Sequence, residues 1–431
     1  MKRSFIILLL FCASLKPNAQ VNSVQEQAAI VNELLVDRFN NLLPSLMTKH
    51  NIDCWVLITR EYNEDPIVKT MLPAEWLSAR RRTVLVFYNN PNTGKLEKYA
   101  VARYPVGKEI KAAWDTQKYP DQWKALENLL TQMNPHTIAL NTSVDFAHAD
   151  GMEHTAYVEL MQYLSKEQQA KIISAQPLAV AWLETRTAME MKYYPTLLQI
   201  THAIIKEGFS NKVIKVNKTT TTDLEWWFRQ KLSDMGLTTW FHPSVEIQRR
   251  NAMNKEEVIR KGDFLHVDFG ISYLRLNSDV QEQAYVLLPG ETSVPNDLAA
   301  AFEKTNQLQD ILTNSFGLGK SGNEILAAAL SEAKSKGIQP SIYTHPIGFH
   351  GHAAGPTIGM WDMQNGVPGS GDYKMNANTA YSIELNAMHT LAGWDQPVRV
   401  ALEQNGIYDG KTFNYLDNRQ TTVSYTHLTL P

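Results

Sequence analysis

The chain contains very little cysteine. Only Cys12 and Cys54 occur among its 431 residues, and Cys12 lies in an apolar run at the N-terminus. If that run is removed, a single cysteine is left. An internal disulfide and a metal site built from thiolates are therefore both excluded from the mature chain.

The chain also lacks a strong net charge. Its 41 Lys and Arg residues nearly balance its 44 Asp and Glu residues, which gives a formal net charge of −3. This balance favours neither nucleic acid nor an anionic membrane surface as a partner. The length favours two domains, and 44% hydrophobic with 20% charged residues is typical of a globular protein.

Long apolar runs are missing except at the N-terminus. Two basic residues precede the apolar stretch 5–15, and a cleavage point follows Ala19 or the next residue. This pattern is typical of a signal peptide, here residues 1–20, and the run is too short to span a bilayer comfortably. We therefore expect an exported protein, periplasmic in a Gram-negative host, without stable membrane insertion. A lipid-anchored form is the alternative, although Phe11 before Cys12 fits a lipoprotein cleavage site poorly.

Residues 21–183 alternate between helical and strand patterns. Apolar runs such as Thr83–Tyr88 are typical of buried strands, and amphipathic stretches lie between them. The alternation predicts an α/β domain. Within it, Asp145, His148 and Asp150 are interpreted as a solvated loop rather than as ligands.

Residues 184–420 begin with helices and continue with strands, which predicts an α+β second domain. Thr222 and Glu225 are spaced as a capping box at the start of one helix. Residues 421–431 show no pattern, and we expect a non-native or poorly ordered tail there.

The second domain is organised around the strand pattern at residues 264–270. His266 and Asp268 alternate with apolar residues and so share a polar face. A partner strand begins at Asp279, and two antiparallel strands can place Asp268 and Asp279 side by side. Two buried carboxylates at such a short distance repel each other, and a divalent metal bound between them removes the repulsion. Two ordinary polar-face acids are the alternative unless further ligands follow.

Further metal-ligating side chains follow in three places. Residues 344–352 contain three His beside Gly and Pro, which favours a site over a core helix. Glu384 lies on the polar side of one alternating strand, and Arg399 and Glu403 share the polar side of the next. Each signal is weak alone, so the order Asp, Asp, His, Glu, Glu carries the argument.

That order resembles the pita-bread metallopeptidases, the family of methionine aminopeptidase, Xaa-Pro aminopeptidase and prolidase. The preceding α/β part is similar to the creatinase-type N-terminal domain of the latter two. The resemblance implies an α+β pita-bread catalytic domain behind a smaller α/β domain. It also implies that Asp268 holds one metal, that Asp279 and Glu403 bridge two metals, and that His345 and Glu384 hold the second.

The resemblance implies a reaction as well. Carboxylates and one imidazole suit two divalent ions, with Mn²⁺ as first choice and Zn²⁺, Co²⁺ or Fe²⁺ as alternatives, and such a pair generates hydroxide. Glu384 would be the general base, and His352 would donate to the oxyanion. Arg399 would orient Glu403 or contact substrate; a buried Arg–Glu pair without catalytic role is the alternative.

Three departures from the family pattern are visible. A His usually stands about seventeen residues before the first Asp, but Asn251 is found there, and His242 is the nearest substitute. Ala401 stands where the last Glu usually follows the Arg, and Glu403 lies two residues further on the same face. Ala353 replaces an acid in the His-rich loop. We interpret the chain as a divergent, active branch.

The sequence therefore predicts an exported dinuclear aminopeptidase that hydrolyses the bond before proline in peptides or dipeptides. Trp240, His242, Trp361 and Trp394 are candidates for the wall of a pocket for the proline ring. A homodimer is implied by the resemblance alone. Two alternatives stay open: a metal-free, creatinase-like amidinohydrolase and a non-catalytic pita-bread module that binds peptides or proteins.

Overall fold

A computed structural model describes residues 21–251 and 253–426. The predicted signal peptide, residues 1–20, and the last five residues of the expected tail lie outside the described part. Among the helices of the described part, none has both the length and the apolar character needed to cross a membrane.

The first part of the chain is a six-stranded mixed sheet between helices. The sheet has the order β4-β3-β2-β1-β5-β6, with β1 antiparallel to β2 and parallel to β5. Its helices are α1 (Val24–Asp37), α2 (Leu43–Lys49), α3 (Pro66–Met71), α4 (Gln122–Met133), α5 (His154–Tyr163), α6 (Lys166–Ala170) and α7 (Gln176–Glu184), and its strands are β1 (Cys54–Arg60), β2 (Arg82–Asn90), β3 (Lys95–Ala100), β4 (Lys111–Ala112), β5 (Ile138–Leu140) and β6 (Ile172–Ser174).

Both faces of this first sheet are buried, because successive residues of a strand point in opposite directions. Trp55 of β1 packs in one apolar core with Phe39 and with Trp182 of α7. Val56, the next residue, packs in a second core with Trp123 of α4. The continuous apolar run of β1 is thus explained by helices on both sides.

The second part of the chain is built on a larger sheet. Its main path is β12-β14-β15-β11-β8-β7, with β13 beside β14, β16 beside β15 and β17 beside β11. Its helices are α8 (Tyr194–Gly208), α9 (Thr221–Asp234), α10 (Asn296–Ser315) and α11 (Gly322–Ser335), and its strands are β7 (Ser244–Gln248), β8 (Phe264–Phe269), β9 (Ser272–Tyr273), β10 (Leu276–Asn277), β11 (Val280–Val286), β12 (Pro340–Ile342), β13 (His345–Pro346), β14 (Thr379–His389), β15 (Val398–Tyr408), β16 (Phe413–Tyr415) and β17 (Ser424–Thr426).

The long helices cover one face of the second sheet. Val267 of β8 packs with Phe228 of α9, and Ile383 of β14 packs with Phe302 of α10. The alternate residues of the same strands, which carry the polar side chains, point to the opposite face. Among the described residues, the helix-covered core of this sheet therefore lies on one side.

Two local predictions need correction. The capping box of α9 is formed by Thr220 and Asp223 rather than by Thr222 and Glu225. Four consecutive threonines precede Asp223, so the spacing alone allowed either register. In addition, Ser424–Thr426, which belongs to the expected tail, forms a strand parallel to β11.

Candidate metal centre

A row of polar residues runs across the strands of the second sheet, on the face opposite its helices. Ser244 of β7 is opposite Asp268 of β8, Asp268 is opposite Gln281 of β11, Gln281 is opposite Glu403 of β15, and Glu403 is opposite Glu384 of β14. Residues opposite each other on neighbouring strands point to the same face. The row therefore collects three carboxylates, with Gln281 of β11 between Asp268 and Glu403.

Asp279 joins this row because it lies two residues before Gln281. Its backbone is fixed by Asn405: the Asp279 amide donates to Oδ1 of Asn405 at 3.1 Å, and Nδ2 of Asn405 donates to the Asp279 carbonyl at 2.7 Å. Nδ2 of Asn405 also donates to Oγ of Ser382, which in turn donates to Oε1 of Glu403 at 2.7 Å. The buried network holds Asp279 and Glu403 in one fixed relation.

His345 is brought to the row by the pairing of β13 with β14. Its Nε2 lies 3.7 Å from Oδ2 of Asp279, 3.7 Å from Oε1 of Glu403 and 4.0 Å from Oε2 of Glu384. Its Nδ1 lies 3.0 Å from the carbonyl of Pro346. A carbonyl only accepts, so Nδ1 carries the proton, and in the neutral ring Nε2 presents a lone pair to the three carboxylates.

The charges of the site are not balanced by protein groups. Oδ1 of Asp268, Oδ1 of Asp279 and Nε2 of His345 are buried and have no hydrogen-bond partner within residues 21–251 and 253–426. Burial, followed by the negative charge of Glu403, raises the pKa of Asp268, Asp279 and Glu384 well above the ordinary carboxyl range. A cation would satisfy all of these groups at once.

The donor set fits divalent metal. One ligand atom from each of Asp268, Asp279 and Glu403 lies within 4.8 Å of the others, and the same holds for His345, Glu384 and Glu403. Glu403 is common to both groups. The structure thus brings together all five side chains that the sequence analysis proposed as ligands, and oxygen and imidazole donors are those that Mn²⁺, Zn²⁺ and Co²⁺ accept.

His352 lies beside this cluster. Its ring centroid is 4.7 Å from that of His345 and 5.1 Å from that of Trp240. Burial, and then the charge of His345, lowers the pKa of His352 to about 4. The ring is therefore neutral at pH 7 and can donate a hydrogen bond to an oxyanion.

Tyr343 is a site residue that the sequence analysis missed. Its ring centroid is 5.6 Å from that of His352 and 5.5 Å from that of His345. Burial and the charge of Glu384 raise its pKa to about 12, so the phenol stays protonated. Its position two residues before His345 was the available signal, because alternate residues of an extended segment share a face.

Arg399 does not have the partner that was expected. Its Nη2 lies 2.9 Å from Oε2 of Glu246 on β7, and both side chains are partly exposed. Four residues along β15 separate Arg399 from Glu403, about 13 Å in an extended strand. The predicted contact between Arg399 and Glu403 is wrong, and so is the alternative of a buried Arg–Glu pair.

His242 was proposed as the substitute for an upstream His, and its surroundings do not support this role. Nε2 of His242 lies 3.7 Å from Oε2 of Glu225, Nδ1 lies 3.3 Å from Arg229, and the ring packs near Trp226. All three partners belong to α9. Asn251 instead lines a separate cavity of about 170 Å³ beyond the end of β7.

The aromatic pocket wall is smaller than predicted. Trp240 contacts His352 and donates from Nε1 to the carbonyl of Ser278 at 2.9 Å. Trp361 is 75% exposed, and Trp394 packs against the core under α10 and α11. Of the four residues proposed for the wall, Trp240 is the one that the described structure places against the site.

The loop between His345 and His352 is held by Arg38 of the first part of the chain and by residues that follow α7. The Phe349 ring lies 4.8 Å from the guanidinium carbon of Arg38 and 4.8 Å from that of Arg186. Both guanidinium groups pair with the buried Glu190, at 3.0 Å and 3.3 Å. The backbone amide of Asn277 also donates to the carbonyl of Gly348 at 2.8 Å. These contacts fix the loop that carries the histidines.

A helix-covered sheet with a cluster of acid and imidazole groups on its other face is an arrangement suited to binding divalent metal. The sequence model of Metallopeptidase family M24 matches residues 196–411, slightly more than half of the chain, and the chain belongs to this family. The predicted enzyme class, a metallopeptidase, is confirmed at the level of the family. No match was found among curated proteins.

Solved structures show the same fold over most of the chain. X-Pro aminopeptidase from Thermotoga maritima MSB8 is 14% identical, with a TM-score of 0.60 over 89% of this chain and 98% of that chain. Xaa-Pro dipeptidase from Bacillus anthracis is 14% identical, with a TM-score of 0.57 over 94% of this chain and 100% of that chain. Prolidase from Pyrococcus furiosus is 12% identical, with a TM-score of 0.52 over 88% of this chain and 98% of that chain. The predicted pita-bread fold is confirmed.

Proposed function

We propose that the protein is a dinuclear metal-dependent peptidase that hydrolyses the peptide bond before proline. The observation that carries the proposal is the shared ligand: Glu403 belongs to a group with Asp268 and Asp279 and to a group with His345 and Glu384. Two ligand groups with a common carboxylate suit two neighbouring ions better than one. Asp279, 3.7 Å from His345, is a second candidate for a bridge.

The ions, when bound, lower the pKa of water and polarise the scissile carbonyl. Glu384 is the group placed to accept the proton of the attacking water and to pass it to the leaving nitrogen, since its side chain is 23% exposed while those of His345 and Glu403 are 3% and 1% exposed. His352, neutral at pH 7, donates to the developing oxyanion. Tyr343 stays protonated and adds no charge to the site.

The choice of a proline-containing substrate rests on two supports. X-Pro aminopeptidase and Xaa-Pro dipeptidase are the names of proteins with this fold. In addition, the indole of Trp240 beside His352 offers an apolar surface next to the reacting groups, which suits a proline ring. The peptide is therefore expected to enter along Trp240.

The proposal is tested with purified protein, Mn²⁺ and paired peptides that differ only in proline or alanine at the second position. We expect release of the N-terminal residue from the proline peptide and much slower release from the alanine peptide. Absence of hydrolysis with Mn²⁺, Zn²⁺, Co²⁺ and Fe²⁺ would contradict the proposed activity. Bound metal without hydrolysis of any peptide would favour the non-catalytic binding module. Activity on creatine in the absence of metal would favour the amidinohydrolase.

Export is also a proposal, supported by the charged and apolar pattern of residues 1–20. N-terminal sequencing of the protein from a periplasmic fraction should begin at residue 20 or 21. A full-length N-terminus in the cytoplasm would contradict export. Metal analysis of the same preparation would identify the native ion, for which Mn²⁺ is our first choice. Size-exclusion chromatography would show whether the protein is a homodimer.

A further inference from the structure

Gln281 lies in the middle of the row of ligands, on β11 between Asp268 and Glu403. Its Nε2 lies 2.9 Å from Oε1 of Glu384 and 2.9 Å from Oε2 of Glu403. The side chain is buried, with 4% of the residue exposed. An amide nitrogen has two protons, so one group donates to both glutamates at the same time.

Chemistry determines the orientation of this amide. A carbonyl oxygen placed between two carboxylates would be repelled, so the nitrogen must face Glu384 and Glu403. Oε1 then faces Nε2 of His266 at 2.8 Å. Since an amide oxygen only accepts, Nε2 of His266 carries a proton and anchors the far end of Gln281. His266 is itself buried, with 3% exposed.

The anchored amide leaves one defined oxygen of each glutamate for other partners. Oε2 of Glu384 and Oε1 of Glu403 are the atoms that lie 4.0 Å and 3.7 Å from Nε2 of His345. The oxygens held by Gln281 are the opposite ones. The amide thus determines which edge of each carboxylate is presented to the ligand nitrogen of His345.

His266 is the outer end of the anchor. Nδ1 of His266 lies 3.6 Å from Oε2 of Glu246, the oxygen that pairs with Arg399. With the proton on Nε2, Nδ1 of His266 can only accept, and it has no hydrogen-bond partner among the described residues. The hydrogen-bonded series that ends at the two glutamates therefore begins at His266, and Arg399 and Glu246 form a separate pair.

We infer that Gln281 is a positioning residue, which orients Glu384 and Glu403 for the ion that they share with His345. The inference rests on the proposed function, because it takes these three residues as ligands. Outer partners of metal ligands typically change metal affinity about 10- to 100-fold when they are removed. The other ion shares Glu403 but also has Asp268 and Asp279, so its affinity should change less.

The test compares Gln281→Met, which keeps the length of the side chain and removes the amide, with Gln404→Met. Gln404 is an equally buried glutamine that follows Glu403 on β15 and points to the other face. Both variants and the wild type are titrated with Co²⁺, and binding is followed by calorimetry and by the visible absorption of Co²⁺, which reports its coordination.

We expect Gln281→Met to bind a first Co²⁺ ion nearly as tightly as the wild type and a second one about 10- to 100-fold more weakly, with an altered spectrum for the second. Gln404→Met should bind both ions normally. His266→Phe, which removes only the anchor, should give a smaller change in the same direction. Normal first-ion binding by Gln281→Met would show that the variant is folded.

The outcomes separate this inference from the function on which it rests. A wild-type protein that binds no Co²⁺ or a single ion overturns the dinuclear proposal itself. A wild type that binds two ions, with an unchanged second affinity and spectrum in Gln281→Met, overturns the positioning role alone. Equal losses in Gln281→Met and Gln404→Met would also overturn it, because any buried glutamine would then have the same effect.

Discussion

His148 and His350 face each other across the two parts of the chain, with ring centroids 4.4 Å apart. His148 lies in a turn of the first part, and His350 lies in the loop between His345 and His352. Burial lowers the pKa of both rings, that of His350 to about 3. Both rings are therefore neutral at pH 7. The loop around His148, predicted to be solvated, is instead packed beside the site.

This contact leads to the first prediction, on stability. His148→Ala should lower the free energy of unfolding by about 1 kcal/mol, the usual value of one aromatic pair, and should leave binding of metal unchanged. Urea denaturation and a Co²⁺ titration would measure the two effects. His136→Ala is a matched control, because that ring is 88% exposed in the same part of the chain and should change neither. A loss of metal in His148→Ala would contradict a purely packing role.

The second prediction distinguishes the roles of His352 and His242 in catalysis. His352→Ala should lower kcat about 10²- to 10³-fold, the usual effect of removing one donor to an oxyanion, while both metals stay bound. His242→Ala should have kinetics close to the wild type, because His242 contacts side chains of α9 and is 44% exposed. Steady-state kinetics on a proline peptide with metal analysis would check both. A large loss of kcat in His242→Ala would restore its predicted catalytic role.

The third prediction concerns removal of a buried charge. Asp279→Asn keeps the shape of the side chain, and its metal-free form should be at least as stable as the metal-free wild type at pH 8. The reason is that burial and Glu403 disfavour the Asp279 carboxylate. Mn²⁺ at one hundred times its Kd should stabilise the wild type by about 2.7 kcal/mol per site. Thermal or urea unfolding should show that Asp279→Asn lacks most of this stabilisation by Mn²⁺. Equal stabilisation of the variant and the wild type would refute Asp279 as a ligand.

The fourth prediction is a pH dependence from Glu184. Burial raises its pKa from 4.5 to about 8, opposed by a hydrogen bond from Asn376. Between these values the unfolded chain has lost the proton and the folded chain keeps it. The contribution of Glu184 to the free energy of unfolding is therefore largest below about pH 4.5 and falls by about 1.4 kcal/mol per pH unit up to about pH 8.

Glu184→Gln removes this dependence, so its stability relative to the wild type should increase from pH 5 to pH 8. Unfolding by urea across this range, with Mn²⁺ present, would measure the change. Glu324→Gln is the control, because hydrogen bonds from Ser321 lower the pKa of the exposed Glu324 to about 2. Its curve should run parallel to that of the wild type. A parallel curve for Glu184→Gln would mean that Glu184 ionises normally in the folded protein.

Much of the second domain could be predicted from local patterns. The alternation around Asp268 and around Glu384 predicts strands, and the structure has β8 and β14 there. Alternation is a property of consecutive residues, so no distant part of the chain is needed to read it. The start of α9 was displaced by two residues because several threonines could supply the cap.

The site was predictable where strand parity sufficed. Strand parity placed Asp268, Glu384 and Glu403 on polar faces and could also have indicated Gln281, which was overlooked. The order of the residues and the family resemblance added Asp279 and the loop residue His345. The errors concern Arg399 and His242, whose partners lie on β7 and α9. Those partners are set by how separate elements pack, and spacing along the chain does not encode that arrangement.

Phe349 between Arg38 and Arg186 has a consequence for dissecting the protein. A shortened chain that begins after α7 would lose Arg38 and would leave one side of the phenylalanine ring facing solvent. The segment with His345 and His352 would then lack a support that its own domain does not replace. The first part of the chain therefore supports the loop that carries these histidines, and the two parts are expected to be expressed and engineered as one unit.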